Sequence, residues 1–213
     1  MELNYPNYHQ LSHPLLVHKI SGLRDIRTTS GVFRRLVKEI SILECYEASK
    51  DLPIVKKEVT TPIETNTFPF IEEGDLAFVN ILRAGLGMSE GAEEIFPEAT
   101  FGHIGMRRNE ETHLPEPYYC NLPKGIENKT VFLLDPMLAT GGSGIDAINQ
   151  LRKAGAKNIR FLCIIAAPEG VKRFCETFPD VPLYVGALDR ELNKNAYICP
   201  GLGDAGDRTF NTI

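Results

Sequence analysis

From Asp75 onward the chain repeats one pattern, in which a short apolar run is followed by a glycine-rich turn and then by a stretch with helical spacing of its apolar residues. Nearly continuous apolar strands that alternate with helices are typical of a parallel sheet that is covered by helices on both faces. The pattern therefore predicts an α/β fold with a doubly wound, mostly parallel sheet. The segments that carry it are LAFVNIL with RAGLGMSEGAEEIF, TVFLLD with PMLATGGSGIDAINQLRKAG, IRFLCIIAA with PEGVKRFCETF, and PLYVGALD.

Other segments extend this core. Apolar residues at helical spacing predict the longest helix over Thr29–Ala48. TFGHIGMRR, residues 100–108, is predicted to be a further strand, and the proline-rich and charged segment EETHLPEPYYCNLP that follows it is predicted to be a mobile loop or a hairpin. We expect one domain over residues 1–213.

Two segments are expected to lie outside the sheet. β-branched residues and alternation over residues 52–65 predict a projecting β-arm, and arms of this kind often pack against a second subunit. Residues 189–213 have no periodicity and several glycines, so they are predicted to form a hood built from loops. The arm therefore favours an assembly of at least two chains.

Composition excludes several classes of function. The net charge is −5 and no Lys/Arg-rich run is present, which argues against non-specific binding to nucleic acid or a membrane surface. The five cysteines are widely spaced without a C-x-x-C pair, as expected for reduced thiols. The N-terminus has no basic region followed by an apolar segment, and no stretch of about 18 apolar residues occurs. We therefore expect a cytoplasmic protein.

The segment VFLLDPMLATGGSG, residues 131–144, carries the strongest chemical signal. An apolar strand ends at Asp135, and small residues then open a helix, so that backbone N–H groups and the helix N-terminus are available to a phosphate group. A carboxylate beside such a site can accept hydrogen bonds from both hydroxyls of a ribose. The segment predicts a ribose 5-phosphate site, and the alternative is a strand-to-helix turn in which Thr140 and Ser143 only cap the helix.

LLDPMLATGGS resembles the phosphoribosyl pyrophosphate (PRPP) motif of type I phosphoribosyltransferases, and its residues are most similar to the form of the motif in the uracil phosphoribosyltransferase branch. Pro136 stands where most of that superfamily has a second acidic residue, a departure that is typical of the uracil branch. The resemblance extends in order to ILRAGLGM, GMRRNEET, AAPEG and YICPGLGDAGDRTF, and more weakly to HPLLVHKISGLRD and ECYEASKDL.

The resemblance implies roles for individual residues in PRPP binding. Arg83 and Arg108 would bind the departing diphosphate, whereas Arg107 is interpreted as a solvated charge. The family often has a non-proline cis peptide in the loop that contains Arg83, and the Arg83–Ala84 bond is the candidate for it. The residues expected to bind PRPP are Arg83, Arg108, Asp135, Pro136, Met137, Leu138, Ala139, Thr140, Gly141, Gly142, Ser143 and Asp204.

The C-terminal motif PGLGDAGDRTF contains a G-x-G-x-x-G pattern, at Gly201, Gly203 and Gly206. A dinucleotide site needs an acidic residue roughly 20 positions further on, and only seven residues follow Gly206. The resemblance implies another use, in which main-chain groups read uracil. The residues expected to bind uracil are Ile198, Gly203, Asp204 and Ala205.

Together these observations predict that the chain converts uracil and PRPP to UMP and diphosphate in pyrimidine salvage. Arg83, Arg108, Asp135 and Asp204 are the expected catalytic residues, and Mg²⁺ is expected to arrive on PRPP and to reach Asp204 through water, without direct protein ligands. The alternatives are a phosphoribosyltransferase for another base and a non-catalytic nucleotide sensor. The sequence leaves open whether GTP activates the protein and whether it is a homodimer or a homotetramer.

Overall fold

The computed structural model describes residues 3–108 and 115–212, with the backbone alone for 107, 108 and 115–117. The helices of the described part are α1 (Pro14–Arg24), α2 (Ser30–Ala48), α3 (Leu86–Ile95), α4 (Gly142–Lys153), α5 (Pro168–Thr177) and α6 (Ala205–Phe210). The strands are β1 (Tyr8–Gln10), β2 (Ile54–Thr60), β3 (Thr65–Ile71), β4 (Leu76–Leu82), β5 (Thr100–Arg108), β6 (Pro115–Asn121), β7 (Thr130–Leu134), β8 (Met137–Leu138), β9 (Asn158–Ala166), β10 (Leu183–Leu188), β11 (Glu191–Leu192) and β12 (Ile198–Cys199). No helix in these ranges has the length and apolar character to cross a membrane.

The central sheet has the strand order β1-β10-β9-β7-β4-β5-β6, with the short β8 also paired to β9. All of these pairs are parallel except β5–β6. Every residue of β4 except the last is buried, because helices cover both faces of the sheet. The prediction of a doubly wound, mostly parallel sheet is confirmed.

Alternation along the central strands creates two hydrophobic cores. Phe78 and Phe132 lie side by side on β4 and β7, with ring centroids 4.8 Å apart, and belong to the core that includes α1, α2 and α3. Their neighbours Val79 and Leu133 belong to the core on the other face, with α4 and α5. Full burial of each large apolar side chain contributes about 1.5–3 kcal/mol, so both layers are held tightly to the sheet.

The β-arm is longer than the predicted 52–65. It is a two-stranded antiparallel hairpin in which Ile54 pairs with Ile71 and Thr60 pairs with Thr65. The second strand, which includes Pro69, was missed because proline is disfavoured within strands, but an edge strand accepts it.

The hood is also more regular than predicted. β11 and β12 form a small antiparallel ribbon, and α6 follows with Asp204 as its N-cap. The prediction of a segment built only from loops was wrong because elements this short leave no periodicity in the sequence. The segment 110–123 contains β6, paired with β5, while its residues 110–114 lie outside the described part of the chain.

Candidate active site

Parallel strands direct their carboxyl ends to one edge of the sheet, and ligands of such folds bind outside that edge. β4 and β7 are neighbours in the sheet. The loops that follow them, which contain Arg83 and Asp135, are therefore brought together at this edge.

The loop after β7 is packed against the start of α5. A Cβ atom added to Gly170 would lie 2.2 Å from the Ala139 carbonyl oxygen, so only glycine permits this approach of two backbones. Gly141 has φ 81° and forms the N-cap of α4 without a side-chain hydrogen bond. The first amide groups of a helix lack partners within the helix. In α4 these amide groups belong to Gly142 and Ser143. The loop has the geometry of a phosphate cradle.

Asp135 directly follows β7, and its carboxyl group has a raised pKa. Burial raises the pKa of Asp135 to about 7; a weak hydrogen bond from the Met137 amide opposes the rise, and the Asp204 carboxylate adds to it. The donor–acceptor distance to the Met137 amide is 3.4 Å. Asp135 therefore lies within electrostatic reach of the hood, because the Asp204 carboxylate contributes to its raised pKa.

Arg83 projects from the loop after β4 toward the hood. Its Nη2 lies 3.3 Å from Asp207 Oδ1, and its guanidinium group lies 5.8 Å from the ring centroid of Phe210. The non-proline cis peptide bond lies at Leu82–Arg83, one position before the candidate bond Arg83–Ala84.

The glycines of this loop serve packing. A Cβ atom on Gly85 would lie 2.6 Å from the Leu134 carbonyl oxygen, and one on Gly87 would lie 3.1 Å from Val37 Cγ1. Gly85 therefore lets the loop after β4 approach the backbone of β7, and Gly87, in the first turn of α3, gives this helix a close contact with α2.

Arg108 is the last residue of β5, where its backbone pairs with Pro115. The side chains of Arg107 and Arg108 lie outside the described residues. Their position at the carboxyl end of a strand next to β4 places the backbone at the same edge as Arg83.

The hood presents backbone at the residues expected to read uracil. Ile198 and Ala205 are buried, whereas Gly203 and Asp204 are exposed. Gly203 has φ 84°, which favours glycine. Asp204 Oδ1 accepts a hydrogen bond of 2.9 Å from the Asp207 amide and so caps α6.

Three charged residues around the hood were not predicted. Arg24 and Asp189 form an ion pair with two hydrogen bonds. Arg208 donates hydrogen bonds to the carbonyl groups of Leu23, Leu202 and Asp25 and lies over the ring of Phe33. In the sequence, Asp189 is recognisable only as an acidic residue directly after a predicted strand. That position does not indicate which basic residue it pairs with.

Within the described residues, no group of three or more His, Cys, Asp or Glu side chains is arranged to hold a metal ion. The five cysteines are free, and Cys45, Cys163 and Cys175 are buried.

Comparison with known proteins gives a consistent result. The family profile described as uracil phosphoribosyltransferase matches residues 10–212. A uracil phosphoribosyltransferase of Agathobacter rectalis is 55% identical over 202 residues, which cover 95% of this chain and 97% of the relative. A solved structure of a protein from Aquifex aeolicus has 43% identity and a TM-score of 0.92, covering 95% of this chain and 97% of the other. The solved structure of the adenine phosphoribosyltransferase of Trypanosoma brucei shares the fold, with a TM-score of 0.56 and 16% identity. The match covers 96% of this chain and 92% of the other.

Proposed function

The chain belongs to the uracil phosphoribosyltransferase family, and from this premise we propose how its residues carry out the family reaction. It is a pentosyltransferase of nucleotide salvage that joins uracil to the ribose of PRPP and releases diphosphate, leaving UMP. The C1–O bond breaks and its electron pair leaves with diphosphate, a bond from C1 to uracil N1 forms, and the N1 proton passes to solvent. Charge develops on the ribose ring and on the leaving group.

We assign the ribose 5-phosphate to the loop after β7. Thr140–Ser143 would bind the phosphate through the first amides of α4 and two hydroxyls, with Pro136–Ala139 along the ribose. Asp135 would accept hydrogen bonds from the ribose hydroxyls. These bonds favour the ionised carboxylate, so PRPP binding should lower the raised pKa of Asp135.

Arg83 and Arg108 are assigned to the departing diphosphate. The exposed position of Arg83 beside the hood supports this role, because its guanidinium group is available to an anion at the sheet edge. The ion pair of Arg83 with Asp207 would be exchanged for contacts with diphosphate. A preorganised charge at a leaving group is worth about 3–4 kcal/mol of barrier in comparable cases.

Uracil is assigned to the hood. The base presents alternating carbonyl and N–H groups, which main-chain groups of Ile198 and of Gly203–Ala205 can pair with. The positive φ and the exposure of Gly203 support a pocket formed by backbone, since a side chain there would occupy the space of the base.

Mg²⁺ is proposed to arrive with PRPP. The chemistry of the site fits this role: exposed Asp204 and partly buried Asp135 lie near each other, but they are too few to form a cation site of their own. A bound Mg²⁺ would offset the negative charge of diphosphate, and Asp204 would contact it through water.

The β-arm is proposed to pack against a second copy of the chain. Val55, Phe68 and Phe70 lie on one face of the arm, because Val55 pairs with Phe70 and residues two apart in a strand share a face. All three remain exposed in the single chain, and exposed apolar surface of this kind marks interaction sites. Phe70→Ser should lower the molar mass measured by light scattering from that of a dimer or tetramer toward that of one chain. Lys56→Ser, at an exposed position of the same arm, should leave the molar mass unchanged.

We also propose that the protein is located in the cytoplasm.

The observation that carries the assignment is the meeting of the two strand-end loops with the hood, through Arg83–Asp207 and Asp135–Asp204. The test measures UMP formation from uracil, PRPP and Mg²⁺, with and without GTP, and with adenine, hypoxanthine and guanine in place of uracil. Uracil should be the base consumed, and a GTP-dependent rate would identify GTP as an activator. Absence of UMP under both conditions would contradict the function.

A further inference from the structure

Arg24, the last residue of α1, connects the sheet to the hood. Its Nη1 donates hydrogen bonds of 2.8 Å both to Asp189 Oδ2 and to the Gly201 carbonyl oxygen, and its Nη2 donates to Asp189 Oδ1. One guanidinium group therefore holds a carboxylate with both of its oxygens and a backbone carbonyl at the same time. Such planar, two-point contacts are specific to arginine.

Asp189 is itself fixed by the sheet. It follows β10 directly, its amide donates a 2.8 Å hydrogen bond to the Ala166 carbonyl at the end of β9, and the residue is 7% exposed. Its Oδ2 also accepts a 2.8 Å hydrogen bond from the Gly201 amide. The ion pair therefore fixes Gly201 of the hood relative to the edge of the sheet.

Gly201 is held at both of its backbone groups. Its N–H binds Asp189 and its carbonyl binds Arg24. It has φ 67°, and a Cβ atom at this position would lie 2.2 Å from the Ile198 carbonyl oxygen. Gly201 stands between Ile198 and Gly203, the two places where uracil is assigned. Fixing it therefore sets the spacing of the main-chain groups on either side.

We propose that Arg24 and Asp189 are positioning residues that hold the main chain of the hood in the register that reads uracil. The inference rests on the assignment of uracil to residues 198 and 203–205 made under the proposed function. Neither side chain needs to contact the substrate, because both act through Gly201. Displacement of a binding group by about 1 Å can cost on the order of 100-fold in rate, so the effect should be measurable.

Arg208 provides an independent attachment that keeps the hood in place when Arg24 is altered. It donates to the carbonyl of Leu202 at 2.7 Å and to that of Asp25 at 2.6 Å. Loss of Arg24 should therefore loosen Gly201 without releasing the whole hood. The expected defect is one of uracil recognition and not of folding.

The test compares steady-state kinetics of Arg24→Lys, Arg24→Gln and Asp189→Asn. Each should raise the KM for uracil by about tenfold or more. The KM for PRPP should change several-fold less, because Asp204 is shared by both substrates but the other residues assigned to PRPP lie on loops outside the hood. Arg24→Lys keeps the charge but cannot reproduce the two-point contact, so it should remain impaired. The double variant Arg24→Gln/Asp189→Asn should resemble the single variants, since the two residues act as one unit.

The matched control is Arg152→Gln. Arg152 also contacts both oxygens of an aspartate, Asp180, at 2.7 and 2.6 Å, but on a surface formed by α4 and the segment after α5. It should leave both KM values unchanged. If Arg24→Gln does not fold, Arg24→Lys decides the question.

The outcomes separate this inference from the proposed function. A wild-type protein that makes no UMP would overturn the function. A wild-type protein that makes UMP, combined with variants that keep the uracil KM or raise both KM values equally, would overturn the positioning role alone.

Discussion

Glu44 lies on α2 with its side chain in the core, where neither carboxyl oxygen has a hydrogen-bond partner. A Cβ atom on Gly186 of β10 would lie 2.9 Å from Glu44 Oε1, so the absence of a side chain there makes room for the carboxyl group. Burial raises the pKa of Glu44 well above its usual value. The neutral acid is therefore the form that the fold accommodates.

The substitution Glu44→Gln tests this account because the amide has a similar shape and does not ionise. A group whose folded pKa is raised stabilises the fold fully below its unfolded pKa, near 4.5, and loses that contribution as pH rises toward the folded value. The wild-type protein should thus lose up to about 1.4 kcal/mol per pH unit relative to the variant.

The measurement is urea unfolding of both proteins at pH 5, 6 and 7 and at equal protein concentration. Glu44→Gln should become progressively more stable than wild type as pH rises above the unfolded pKa of a glutamate. Glu47→Gln, at a half-buried position of the same helix, is the control for the loss of a carboxyl group from α2. A difference between Glu44→Gln and wild type that does not depend on pH would refute the reasoning.

Three further predictions concern the active site. Arg83→Ala should lower kcat by about 100-fold or more with little change in the KM for uracil, while Arg190→Ala, at an exposed position, should be nearly neutral in steady-state assays; unchanged turnover would remove Arg83 from the mechanism. Gly170→Ala should raise the KM for PRPP, because its Cβ would lie 2.2 Å from the Ala139 carbonyl oxygen and displace the loop after β7. An unchanged KM for PRPP would contradict this role of Gly170. Because the pKa of free Asp135 is raised to about 7, kcat/KM for PRPP should fall as pH drops below 7, and Asp135→Asn should remove this limb from the pH profile; a variant that keeps the limb would assign it to another group.

Much of the fold could be predicted because the information is local. Apolar runs such as LAFVNIL identify strands that are buried on both faces. The right-handed connection of each strand-helix-strand unit limits the possible arrangements of the strands, and the structure decided their order. The small residues after Asp135 indicated a phosphate loop for the same reason, since the strand end, the turn and the helix start are contiguous in sequence.

The short elements of the hood and the second strand of the arm were missed because a strand of two residues has no period and Pro69 argues against pairing. The position of the cis peptide was missed by one residue, since several backbone bonds of a tight loop are compatible with the same motif. These errors concern regions where the local signal is weak.

The sequence by itself determined the sheet, the loops at its carboxyl edge and the family reaction, because each depends on contiguous residues with a recognisable pattern. Only the tertiary structure decided that Arg24 meets Asp189, 165 positions away, that the Glu44 carboxyl group is enclosed without a hydrogen-bond partner, and that burial raises the pKa of Asp135. Hydrogen-bond partners, burial and the field of neighbouring charges depend on atoms that are distant in the chain, and only the packed fold brings those atoms together.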